Sequence, residues 1–196
     1  MSLTTHTLIW LFPIAFMLHD FEELLFWELW LSQHGAEIKR RVPAFLARRI
    51  GSIADKSTAQ AAASIGLIFG LTALSAFLAT DAHAYGFFLV ASGLFFVHGF
   101  VHVAQAIAWR GYIPAVITSV GIVIPYGLLL YRRLIGEGLL TWTGLALSLL
   151  LGAILMAPFI LAMHAIGDFL LTRTARLLLH RPASARATAK TGQSQT

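Results

Sequence analysis

Long apolar runs dominate this chain and restrict what it can fold into. A membrane-spanning helix needs about 20 mostly apolar residues. Five runs qualify: residues 8–31, 58–79, 85–109, 112–131 and 139–171. Only 12% of the 196 residues are charged, against about a quarter in a soluble domain. We therefore predict an all-α, polytopic transmembrane helix bundle with five spans, which extends over residues 1–172.

The fifth run is longer than one span requires. At about 1.5 Å per helical residue, residues 139–171 exceed a hydrocarbon core of about 30 Å. The helix must tilt, begin after Leu139, or bend near Pro158. Small residues inside the spans predict close helix packing. The candidates are Gly93, Gly99, Gly121 and Gly127.

Basic residues predict the orientation, because cytoplasmic loops are enriched in Lys and Arg. With five spans and the N-terminus outside, all of the 14 Lys and Arg residues except Arg132 and Arg133 are cytoplasmic. We predict an N-out, C-in protein of a bacterial inner (plasma) membrane. Contact with the membrane explains the net charge of +5, so nucleic acid is not an expected partner.

Two basic segments lie outside the predicted spans. Residues 36–57 alternate basic and apolar side chains, which fits either an amphipathic helix on the cytoplasmic surface or a plain basic loop. Residues 173–196 are rich in Arg and small polar residues, and we predict a disordered tail. The sequence contains no cysteine, which excludes disulfides, iron–sulfur clusters and thiolate metal sites.

Ionisable residues inside a membrane are costly, and they therefore indicate function. Three spans carry polar sets, which are His19, Asp20, Glu22 and Glu23, then His98, His102 and Gln105, then His164 and Asp168. Residues three or four apart share one helix face. These three helices are predicted to be parallel. Their polar sets then share one layer, about 6 to 18 Å from the inner boundary at about 1.5 Å per residue.

Four imidazoles and three carboxylates form a ligand set that suits iron, zinc or manganese. The set exceeds the ligands of one zinc ion, and it favours two ions that share carboxylates. The predicted ligands are His19, Glu22, Glu23, His98, His102, His164 and Asp168. Asp20 and Gln105 would orient these ligands. A metal-free proton relay and a haem held by two histidines are alternatives.

These residues predict a metal-dependent enzyme that acts on a lipid or another apolar substrate. Two iron ions, the first choice, would support oxidation. Zinc would support hydrolysis of an amide or ester lipid, with Glu22 or Glu23 as the catalytic base. A third interpretation is a metal or proton carrier or sensor, although no inverted repeat is visible. Five spans cover the polar layer thinly, which is compatible with a homodimer.

Residues 19–23 spell H-x-x-E-E within a predicted span. In this setting the chain resembles the HXXEE-domain family of small integral membrane proteins. The resemblance implies a further histidine, here His98 or His102, and a Y-x-P-G motif. Tyr112 and Pro114 match that motif, and Ala115 replaces its glycine. The resemblance implies a membrane metalloprotein, and it brings no established activity.

Overall fold

The computed structural model describes residues 3–41 and 57–179, and all regular elements within them are helical. They form five helices: α1 (Thr5–Arg41), α2 (Thr58–Asp81), α3 (Tyr85–Trp109), α4 (Val116–Gly136) and α5 (Trp142–Leu179). The predicted all-α class is confirmed. Among the described helices, α2 to α5 are long and apolar enough to cross a membrane. Helix α1 is not in this group because the ionisable side chains near its middle lower its hydropathy.

Two helices extend beyond the predicted spans. Helix α1 continues through residues 36–41, where the sequence predicted the start of a basic loop, and Glu37 pairs with Arg41 one turn away. Helix α5 begins at Trp142, so a late start accounts for part of the long fifth run. The predicted disorder is wrong for residues 173–179, because leucine and arginine there are good helix formers.

The rest of the predicted basic loop, residues 42–56, lies outside the described residues. The rest of the predicted tail, residues 180–196, lies outside them as well.

Helices α1 and α3 meet through aromatic side chains that fill one end of the bundle. The ring of Phe12 lies 5.6 Å from Phe88 and 5.7 Å from Phe95, measured between centroids. Phe95 also contacts His19, with centroids 5.5 Å apart. Helix α2 packs against α1, α3 and α5, and α4 contacts α1 and α3. The apolar core therefore ends where the polar residues of α1 begin.

Glycine residues allow the closest helix crossings. A Cβ atom added at Gly152 of α5 would lie 2.5 Å from the backbone nitrogen of Leu94 in α3. One added at Gly93 would lie 2.7 Å from the carbonyl oxygen of Ser148. Three of the four glycines that the sequence singled out lie at such approaches. The fourth, Gly121, has no described atom within 4 Å of its added Cβ, so that prediction is wrong.

Helix α4 is irregular near its start. Pro125 has no N–H to donate and disfavours a regular helical turn before it. The chain forms a π-helical turn at Ser119–Val123 in this position. Such turns are frequent at functional sites. The irregular start directs the first residues of α4 towards α1.

We predict that Gly152→Ala lowers the free energy of unfolding by about 1–3 kcal/mol, because the new methyl group overpacks the crossing of α3 and α5. Thermal unfolding in detergent measures this change. The matched control is Gly70→Ala, whose added Cβ meets no described atom within 4 Å. It should be neutral or slightly stabilising, because alanine favours helix. Equal effects of the two substitutions would contradict the assigned crossing.

Candidate metal centre

Two helices bring four metal-binding side chains together. His19 and Glu23 lie one turn apart on α1, and His98 and His102 lie one turn apart on α3. One ligand atom from each lies within 4.8 Å of the others. The ring centroid of His19 is 5.3 Å from that of His98 and 5.1 Å from that of His102. The polar sets of the first and third predicted spans therefore meet.

The two histidines of α3 turn the same nitrogen towards each other. The Nε2 atoms of His98 and His102 lie 3.0 Å apart. At this distance the two nitrogens either share one proton or direct two lone pairs at a common cation. His102 is buried and His98 is half-buried at the wall of a cavity.

Hydrogen bonding determines which nitrogen of His19 carries the proton. Its Nδ1 atom lies 3.1 Å from the hydroxyl oxygen of Thr118. That hydroxyl also lies 2.6 Å from a carboxylate oxygen of Glu22 and 3.3 Å from the carbonyl oxygen of Ala115. Both of these oxygens are acceptors, so the hydroxyl donates to one of them and accepts from the Nδ1–H of His19.

The lone pair of His19 is therefore on Nε2. This atom is buried, and no described atom forms a hydrogen bond with it. The whole side chain of His19 is 0% exposed. A buried imidazole nitrogen without a proton or a partner is costly, unless a cation or another donor occupies the position beside it. This arrangement fits a metal ligand that is oriented from behind by Thr118.

Glu22 holds the start of α4 and does not belong to the group of four. One of its oxygens accepts hydrogen bonds from the phenol of Tyr112 (3.0 Å) and the amide of Ile117 (3.2 Å). The other oxygen accepts from the amide (2.7 Å) and the hydroxyl (2.6 Å) of Thr118. A carboxylate in this position satisfies amides that a helix leaves unpaired at its N-terminus. Burial and the bond to Glu22 raise the pKa of Tyr112 to about 12, so the phenol stays a donor at neutral pH.

Ala115 occupies the position where the resemblance implies glycine. Its backbone is left-handed, with φ of 70°, and its side chain is fully buried. This conformation costs an L-residue about 1–2 kcal/mol, and glycine adopts it freely. The carbonyl of Ala115 accepts a hydrogen bond from the hydroxyl of Ser119 (2.7 Å). The Y-x-P-G motif therefore corresponds to the turn that presents α4 to Glu22.

The other predicted site residues do not belong to the group of four. Asp20 is buried and lines the cavity beside Glu23. His164 of α5 lines the same cavity. Gln105 is exposed on α3, and Asp168 is half-buried on α5. Among the described residues, the group that could hold a metal contains three histidines and one carboxylate.

Sequence reasoning missed two residues that support this group. Tyr112 was noticed only as part of a motif, and its phenol proves to bind Glu22. Thr118 had no signal in the sequence, because its role depends on how α4 begins. A threonine one residue before a π-helical turn is not distinguishable from any other threonine in a span.

A cavity of about 760 Å³ adjoins the group of four. Side chains from α1, α2, α3 and α5 line it, and most of them are apolar. Glu23 and His98 form part of its wall. Ligand sites of this volume are common, and they combine an apolar lining with a few placed polar groups.

The fold and the site define a helical protein of the membrane type, with a His/Glu cluster that could bind a metal ion. The chain belongs to the HXXEE family: the family model, described as a protein of unknown function with HXXEE motif, matches residues 10–130. The match contains all four residues of the metal-binding group and Thr118, and it ends before α5. A search of curated proteins and a search of solved structures each give no match.

We predict that Ala115→Gly raises the free energy of unfolding by about 1 kcal/mol, because glycine relieves the left-handed backbone. Thermal unfolding in detergent measures the change. Ala104→Gly is the matched control, on the exposed face of α3. It should lower stability by about 0.5–1 kcal/mol, since glycine weakens a helix. A loss of stability in both variants would contradict the prediction, and would show that relief of the left-handed backbone does not outweigh the lost burial of the Ala115 methyl group.

Proposed function

We propose that this protein is a membrane-embedded metalloenzyme that hydrolyses an apolar amide or ester, with one metal ion held by His19, His98 and His102. The observation that carries the proposal is the convergence of three imidazoles and one carboxylate beside an apolar cavity, with Glu23 and His98 in its wall. Three protein ligands are typical of catalytic zinc sites. A divalent ion there would supply Lewis acidity, polarising the substrate carbonyl and easing proton loss from water.

The donor set supports a metal ion more than a metal-free relay. Imidazole nitrogen and carboxylate oxygen suit zinc and iron. The Nε2 atom of His19 offers its lone pair and has no described hydrogen-bond partner. A proton relay would instead need donors and acceptors that alternate in hydrogen bonds.

Glu23 is suited to move a proton, because it belongs to the group of four and also lines the cavity. In the proposed reaction it accepts a proton from the water whose oxygen adds to the carbonyl carbon. It returns that proton to the departing amine or alcohol as the C–N or C–O bond breaks. Glu22 would not share this role, since both of its oxygens already hold the start of α4.

Oxidation by two iron ions is the second candidate. Dinuclear iron centres in helical bundles use several carboxylates, and the group of four supplies one. The observation that favours this candidate is that Asp20 and His164 line the same cavity. These residues could contribute to a second ion beside Glu23.

We also propose that α1 is a fifth span and that the N-terminus lies outside. Exposed apolar side chains follow one face of α1 at helical spacing: Ile14, Leu18, Phe21, Leu25 and Leu29. Such a stripe suits contact with lipid, while His19, Asp20 and Glu22 of the same helix are buried within the bundle. A bacterial inner membrane as the location and a homodimer as the assembly remain predictions from the sequence.

Metal content tests the proposal. We predict about one equivalent of zinc or iron per chain, measured by elemental mass spectrometry on protein purified in detergent. The double variant His98→Ala/His102→Ala should lose it, because two of the three imidazoles are removed. The control His83→Ala changes an exposed histidine between α2 and α3 and should keep the metal. Two equivalents of iron, reduced by His164→Ala, would favour oxidation. A metal content of the wild-type protein that is no higher than that of the double variant would overturn the proposal.

Thr118→Val is predicted to weaken metal binding by about 10–100-fold, since it removes the hydroxyl that orients His19. Competition with a chromogenic chelator measures the affinity. Thr72→Val is the control, because the hydroxyl of Thr72 bonds only the carbonyl of Phe69 in its own helix among the described residues. An unchanged affinity in Thr118→Val would show that the hydroxyl does not set the tautomer of His19.

A further inference from the structure

We infer that the substrate is a single-chain amphiphile that lies along the cavity, with its apolar chain towards Phe12 and its polar end towards Glu28. The inference rests on the proposed function, because the metal-binding group marks where the reacting bond lies. The lining of the cavity, its length and its volume lead to this substrate class.

The lining of the cavity changes from apolar to polar along α1. Phe12 and Phe16 line one end, and Asp20, Glu23 and Glu28 follow in order along the helix. Helix α3 runs parallel to α1, because Phe12 contacts Phe88 and His19, further along α1, contacts His98, further along α3. The polar groups of these two helices are therefore at the same end of the cavity.

Along helix α2 the cavity lining changes from polar to apolar, which is the reverse of the order along α1. Three residues connect its end to the start of α3, so the two helices run antiparallel. Its lining begins with Ser57 and Thr58 at the polar end and finishes with Leu71 and Thr72 at the apolar end. The hydroxyl of Thr72 donates to the carbonyl of Phe69 (2.8 Å). Because the Thr72 hydroxyl is engaged within its own helix, the far end of the cavity stays apolar.

The length of the apolar part limits the chain that it can hold. From Glu23 to Phe12, α1 rises about 16 Å at about 1.5 Å per residue. An extended chain covers roughly 1.2 Å per bond, which is a third of the rise of an extended residue. The apolar part therefore accommodates about 13 or 14 carbon atoms beyond the reacting group.

The volume of the cavity suits one chain with a small head group. It measures about 760 Å³. At about 30 Å³ for each water-sized group, this volume corresponds to about 25 non-hydrogen atoms. A chain of about 14 carbons with a small head group matches it more closely than a glycerolipid with two such chains.

The polar end selects the head group. Glu28 is exposed at the rim, and its negative charge repels an anionic head. Ser57 at this rim is engaged with Gln60 in capping α2. A head group with hydroxyl or amine donors matches the carboxylate of Glu28. The substrate class is thus a long-chain amide or ester with a small, donor-bearing head.

Photochemical labelling tests this inference. The probes are fatty acyl ethanolamides of 8 to 20 carbons with a diazirine at the chain end, added to the full chain in phosphatidylcholine vesicles. We expect labelling to peak near 14 carbons and to map to the apolar end, around Leu71 and Phe87. Labelling at least threefold weaker at 20 carbons is the expected length dependence.

Filling the apolar end should shorten the preferred chain. Ala91→Trp, at a residue that lines the cavity, is expected to move the optimum down by about three carbons. Val90→Phe provides a second variant, in case the first fails to fold. Ala104→Trp introduces the same bulk on the exposed face of α3 and should leave the optimum unchanged. An optimum that none of the cavity variants moves would overturn the inference.

Two further results separate this inference from the proposed function. Labelling without length dependence, or stronger labelling by a two-chain phosphatidylcholine diazirine, would overturn the single-chain substrate and leave a bound metal unaffected. Length-dependent labelling of His98→Ala/His102→Ala would support the inference even if the wild-type chain held no metal.

Discussion

The carboxylate of Glu22 against the start of α4 is the interaction on which the rest of the site depends. A charged group among apolar helices must be neutralised or fully hydrogen-bonded. Donors from Tyr112, Ile117 and Thr118 meet this requirement. The same contact fixes the Thr118 hydroxyl, which in turn directs the Nε2 atom of His19 towards α3. The carboxylate of Glu22 thus determines the orientation of His19 on its own helix, and it also fixes the start of α4.

Helix packing places the cavity beside this ligand group. Large rings keep α1 and α3 apart at the level of Phe12 and Phe88, whereas Gly93 and Gly152 draw α3 and α5 together. Because α1 and α3 are held apart while α3 and α5 are in close contact, a space remains between α1, α2, α3 and α5. The two glutamates of the H-x-x-E-E motif consequently differ: Glu22 faces the turn before α4, and Glu23 faces the cavity.

Much of this arrangement could be predicted from the sequence, because helical periodicity and membrane depth are simple geometric rules. They placed His19 at the level of His98 and His102, and the structure brings these three together. They could not separate Glu22 from Glu23, since both lie on the same side of α1. That difference depends on Thr118 and on the left-handed turn at Ala115. Such tertiary contacts leave no periodic pattern in the sequence.

X-ray absorption spectroscopy of the zinc-loaded protein tests the central claim most directly, because it counts the imidazoles bound to the metal. We expect about three histidine ligands and at least one oxygen ligand in the wild-type protein. His19→Ala should reduce the histidines to about two. A coordination shell made up of water oxygens, or a histidine count that His19→Ala leaves unchanged, would contradict the assigned metal centre.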